Sequence, residues 1–129
     1  MNKIWLLLLA TLYSCHDSPY VQGKRLYSVH CANCHMEDGS GLAEMIPALQ
    51  KSGITYSSDL VCLLYNGKRD TIFQGTTFLV KEMPSFKQLS STEVTNIINY
   101  VNHSFTSDFR EKSILDTESD LKKCKDQGL

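Results

Sequence analysis

At 129 residues, 42% of them hydrophobic, the chain fits one modest globular domain and leaves no room for a second core of useful size. Its 13 basic and 14 acidic side chains are interspersed and give a formal net charge of -1. There is no basic stripe of the kind that neutralises phosphates, so nucleic acid is not an expected partner.

The chain opens with a short export signal: Lys3 supplies a positive start, and Ile4 to Leu12 form an apolar run with four consecutive leucines. That run falls well short of the about 20 apolar residues a spanning helix needs. Leu12-Tyr13-Ser14-Cys15 resembles the lipobox of bacterial lipoproteins, although Tyr13 stands where small or β-branched residues are usual. The resemblance implies a signal peptide over 1–14 and a lipidated N-terminus and linker over 15–18. Acyl chains on Cys15 would hold the domain on the periplasmic side of a bacterial membrane, each buried methylene contributing about 0.8 kcal/mol. The plainer alternative is an ordinary signal in which Cys15 is incidental.

Ser18-Pro19 suits the cap and first turn of a helix, and Val21, Leu26, Tyr27 and His30 recur at roughly helical spacing, carrying it into Cys31-Ala32-Asn33-Cys34-His35. Met36 to Gly53 holds three glycines and Pro47 without a sustained period and reads as an ordered loop. A second helix starts at Ser57 or Ser58, runs through Leu60, Leu63 and Leu64, and stops at Asn66-Gly67. Asp70 to Val80 alternates weakly around Gly75, which suggests a short hairpin. The clearest helix follows, with Ser90 and Glu93 as a capping box and an apolar stripe of Val94, Ile97, Ile98, Val101 and Phe105. The tail from Thr106 is charged, with a short helix around Leu121 to Cys124, and carries no evident chemistry.

The residues with chemistry are Cys31, Cys34 and His35. Two cysteines three positions apart lie on one side of a helical turn, so both thiols can add to the vinyl groups of one haem while the next histidine faces the iron. A thioredoxin-like redox pair would want a βαβ pattern that is missing here. A zinc site would need His30, His35 and distant cysteines in no familiar spacing. Of the five cysteines, one is then assigned to lipid and two to haem. Cys62 and Cys124 remain, and an oxidising compartment allows a disulfide between them that would pin the tail to the domain; two separate thiols are the alternative.

From Val21 to Phe105 the chain resembles a class I cytochrome c domain. Gly23, Tyr27 and Tyr100 are similar to the small and aromatic residues by which that family's terminal helices cross, and Gly39, Gly41 and Pro47-Ala48-Leu49 match its loop after the histidine. The resemblance implies a small all-α cytochrome c-like fold over 19–105, its N- and C-terminal helices crossing around one covalently bound haem c, with a short β-hairpin and residues 106–129 packed on the domain. It also implies that the Pro47 carbonyl orients His35 through Nδ1; a proline that only stiffens the loop is the alternative.

The sixth position on the iron separates carrier from catalyst. Four methionines are available. Met1 leaves with the signal, Met36 cannot reach the face opposite its neighbour His35, and Met45 lies on the wrong stretch by family precedent. Met83, in Glu82-Met83-Pro84-Ser85-Phe86, matches the family's Met-Pro ligand segment. His16, His30 and His103 read as surface histidines. The expected activity is one-electron transfer between redox protein donors and acceptors by transient contact, at a membrane held through the lipid, with no enzymatic step. Two alternatives stay open: a haem enzyme or small-gas sensor with a vacant sixth position, and a zinc-binding structural lipoprotein.

Overall fold

A computed structural model describes residues 19–43, 45–51, 58–107 and 109–127. The predicted signal, Cys15 and the capping role of Ser18 fall outside the described residues. In chain order the elements are α1 (Val21–His30), α2 (Ala32–His35), a 3-10 turn (Leu49–Lys51), α3 (Ser58–Asn66), β1 (Lys68–Gln74), β2 (Thr77–Met83), α4 (Ser91–Phe105) and α5 (Ile114–Gln127). Among the described residues no helix is long and apolar enough to cross a membrane.

The central element is α4, because its two flanks build two cores. Its start is set by the reciprocal cap: Ser90 Oγ accepts from the Glu93 N–H, and the Glu93 carboxylate accepts from the Ser90 N–H at 2.8 Å. One flank carries Ile97, Tyr100 and Phe105, which meet Tyr27, Cys31 and Ala32. The other carries Val94 and Ile98, which meet Val61 and Leu64 of α3, Phe86, and Cys124 of α5. Leu89 packs against both clusters and joins them.

α1 crosses α4 at Gly23. A Cβ there would strike the Asn96 carbonyl oxygen and come within 2.6 Å of the Tyr100 Cβ, so only glycine lets the helices approach this closely. This is the crossing of terminal helices expected of a cytochrome c-like domain. α1 starts at Val21, later than the expected cap and first turn at Ser18-Pro19: Pro19 lies in the turn before the helix and Tyr20 takes the cap position with no side-chain cap bond, while Val21 itself is 46% exposed. Burial on α1 is concentrated at Gly23 and Tyr27 instead.

The hairpin is longer than the alternation at 70–80 suggested: its ladder runs from Lys68 opposite Met83 to Gln74 opposite Thr77. Arg69 stands opposite Glu82 and Asp70 opposite Lys81, and the Asp70 carboxylate pairs with Lys68 on its own strand at 2.8 Å; such charged rungs give no hydropathy signal. Along β2, Leu79, Lys81 and Met83 are half-buried while Phe78, Val80 and Glu82 face out.

The tail departs most from expectation. In place of a short helix near Leu121, α5 runs for 14 residues from Ile114 to Gln127, capped by Ser113, whose hydroxyl accepts from the Asp116 N–H at 3.1 Å. Its buried face is Thr117, Asp120 and Cys124, a helical stripe in which polar groups replace apolar ones. Each is matched: Thr117 shares a 2.7 Å hydrogen bond with Thr95, Asp120 takes the Lys112 ammonium at 2.8 Å, and Cys124 is joined to Cys62 of α3 by a disulfide. Asn99 of α4 brackets the Lys112 backbone, accepting from its N–H at 2.8 Å and donating to its carbonyl at 3.0 Å. The tail is thus fastened to α3 and α4.

Candidate haem site

The site starts with a tight corner between α1 and α2. The Cys31 carbonyl accepts from both the Cys34 N–H at 3.1 Å and the His35 N–H at 2.8 Å, so the chain completes one turn between the two cysteines and brings both to the same side. Cys31 is buried in the first core and Cys34 is exposed. Burial, and secondarily the neighbouring Cys34, pushes the free Cys31 thiol up to about 11, which keeps its proton in place at neutral pH.

His35 is half-buried, and its Nδ1 lies 3.2 Å from the Pro47 carbonyl oxygen. A carbonyl only accepts, so the contact requires the proton on Nδ1 and leaves the Nε2 lone pair free. Burial pulls the imidazole pKa down and outweighs the opposing pull of the Pro47 bond. The ring is therefore a neutral donor at neutral pH. The loop that carries Pro47 is folded back by backbone bonds: Gly41 N–H to the His35 carbonyl at 3.0 Å, Leu49 N–H to Gly39 at 2.8 Å, and a bridge between Leu42 and Ile46. It pivots on Met36, whose φ of 63° and ψ of 159° lie in a region that side chains occupy at a cost of about 1–3 kcal/mol.

Met83 ends β2 and is half-buried against the second core. Gly67, at φ +73°, makes its seat: a Cβ there would come within 2.5 Å of the Met83 carbonyl and 2.8 Å of the Ser85 nitrogen. One step on, the Phe86 N–H donates to the Leu64 carbonyl at 2.9 Å and the Phe86 ring is buried. The segment Met83 to Phe86 is thereby clipped to the C-terminal end of α3.

Cys31, Cys34, His35 and Pro47 thus form one cluster at the first core. Met83 belongs to the second, as do Cys62 and Cys124, while Cys15 lies outside the described residues. His30 is not the surface histidine expected; it is half-buried with its ring edge-on to Phe86 at 5.8 Å. His103 is exposed and packs against Tyr20 and Phe109, with ring centres 5.1 and 5.5 Å apart. Two contacts carry no signal in the sequence: the Tyr27 hydroxyl on the Met36 carbonyl at 2.6 Å, and the ion pair of Lys112 with Asp120 at 2.8 Å. Both are polar contacts across chain separations that no periodicity encodes.

A one-sided pair of thiols, an imidazole with its Nε2 free and its Nδ1 fixed, and a pair of helices crossing on glycine fit a covalently held haem, and together define a c-type cytochrome domain. Residues 18–101 match the family described as cytochrome C oxidase, cbb3-type, subunit III, and the chain belongs to that family. It carries covalently bound haem c, with Cys31 and Cys34 as the residues that would hold it. Comparison with curated proteins found no match.

Proposed function

We propose that the protein is a one-electron carrier in which His35 and Met83 are the two axial ligands of the haem iron. The observation that carries this reading is the contact between His35 Nδ1 and Pro47, which leaves Nε2 as a neutral donor with a fixed direction. The haem supplies the one-electron couple. His35 and Met83 tune it: a neutral thioether favours the ferrous state, and two ligands retained in both states keep reorganisation small. Nothing is bound or released during turnover, so no acid-base pair is required.

Electrons are exchanged with redox proteins through brief contacts, and the family's name supports a terminal oxidase as one setting. The domain is exported, lipidated at Cys15 and held at the periplasmic side of a membrane; the leader sequence and its lipobox-like end support this. A zinc-binding role finds no support, since among the described residues no group of three or more His, Cys, Asp or Glu side chains is placed to hold a metal.

Replacing Met83 separates carrier from open-site protein. The reduced parent is expected to leave carbon monoxide unbound and reduced Met83→Ala to bind it; a parent that binds the gas as readily as the variant is an open-site haem protein. Mass spectrometry of the mature N-terminus tests the anchor, and an unmodified Cys15 removes it.

A further inference from the structure

The residue after His35 needs an explanation. Met36 adopts φ 63° and ψ 159°, a conformation open to glycine and strained for any residue with a Cβ. Something must hold it there. Its carbonyl oxygen accepts from the Tyr27 hydroxyl at 2.6 Å and from the Gly39 N–H at 3.2 Å. Tyr27 is fully buried, its ring wedged between Tyr100 and Phe105 with centroids 5.4 Å from each. The hydroxyl therefore has a fixed position and little competition from water.

The reversal at Met36 ends α2 and turns the chain back on itself. Only after that turn does the Gly41 N–H reach the His35 carbonyl at 3.0 Å and the Pro47 carbonyl reach His35 Nδ1 at 3.2 Å. A chain that relaxed at Met36 would lead the loop elsewhere and release the imidazole.

We propose that Tyr27 is a positioning residue for His35: its buried hydroxyl clamps the Met36 carbonyl, holds the strained reversal, and so sets the loop that aims the ring. This rests on His35 being an iron ligand. The aromatic ring of Tyr27 serves helix packing, and phenylalanine would do that equally well. The hydroxyl has a separate task, directed at a backbone atom 9 residues along the chain.

The test compares the haem-loaded parent with Tyr27→Phe, Met36→Gly and the double variant. Hyperfine-shifted haem methyl resonances of the ferric protein report the orientation of the axial imidazole, and denaturant unfolding reports stability. Tyr27→Phe is expected to shift the methyl pattern and to lower the folding equilibrium constant about tenfold, as for loss of one buried hydrogen bond. Glycine at position 36 needs no clamp. In the Met36→Gly background the same change should leave the methyl pattern at its parental form and cost less than about threefold. A methyl pattern unmoved by Tyr27→Phe, or a shift that persists in the double variant, overturns the proposal. If Tyr27→Phe fails to accumulate, Met36→Gly must restore it, and failure to restore is equally contrary. A parent lacking shifted His35 ring protons contradicts ligation by His35 instead, a different failure with its own signature.

Discussion

The two sides of this domain are built on opposite principles. On the His35 side the residues that bear the chemistry are close in sequence: Cys31, Cys34 and His35 share one turn, and the loop that carries Pro47 returns within 12 residues. On the Met83 side the residue ends a hairpin whose outward face leaves Phe73 71% and Phe78 64% exposed, and its support is long-range. The Phe86 backbone is clipped to α3, α3 is tied to α5 by a disulfide spanning 62 residues, and α5 is held to α4 by the buried Thr95–Thr117 hydrogen bond. Local construction survives partial opening; long-range construction does not. The Met83 side should therefore open first.

The strongest way to break this asymmetry is to remove the disulfide. For a loop this long, Cys62→Ser with Cys124→Ser is expected to lower stability by about 4 kcal/mol on the loop-entropy estimate. Under mild denaturant the Met83 side of the variant should be lost while His35 stays in place, which absorption and hydrogen exchange can follow separately. Simultaneous loss of both sides would mean that the two cores act as one unit.

Next comes the ion pair. Asp120→Asn strands the nearly buried Lys112 ammonium, at a cost of about 3 kcal/mol. Burial alone raises the Asp120 carboxyl, but the hydrogen bonds and charges of Lys112 and Lys123 together outweigh it, and its net pKa is depressed. A depressed folded-state pKa contributes stability that is present above the unfolded carboxylate value of about 4 and is lost as pH falls through the folded value. An acid titration of parent and Asp120→Asn should therefore converge below about pH 4. Parallel curves throughout that range would remove Asp120 from the account of acid unfolding.

On the other side, Gly23→Ala sharpens the comparison. Its Cβ meets α4 backbone rather than a movable side-chain end, so the helices must part, at a cost of about 2 kcal/mol. Exchange protection should fall first across α1 and α4 near Tyr100, with α3 and α5 little changed. Loss confined to α5 would place the weak point elsewhere.

What the chain discloses in one dimension follows the same division. The Cys31 to His35 string is legible because its chemistry depends on spacing within one turn, and α4 because a capping box precedes an apolar stripe. α5 escapes a hydropathy reading because its buried face is Thr117, Asp120 and Cys124, matched by Thr95, Lys112 and Cys62 through polar or covalent contacts that carry no hydropathy signal. The hairpin ends escape it because Lys68, Arg69, Lys81 and Glu82 stand there without apolar alternation. Pro47 stands out through family resemblance and not through any period, and the Tyr27 hydroxyl stands out through neither, since Tyr27 and Met36 meet only when α1 lies on α4 and the loop has reversed.

The pairing of these two unlike sides on one iron is tested most directly by proton NMR of the ferrous protein. A methionine methyl resonance carried far upfield by the haem ring current, absent in Met83→Leu and unchanged in Met45→Leu, is the expected result. A spectrum with no such methyl, or one that keeps it after Met83 is replaced, contradicts ligation by Met83.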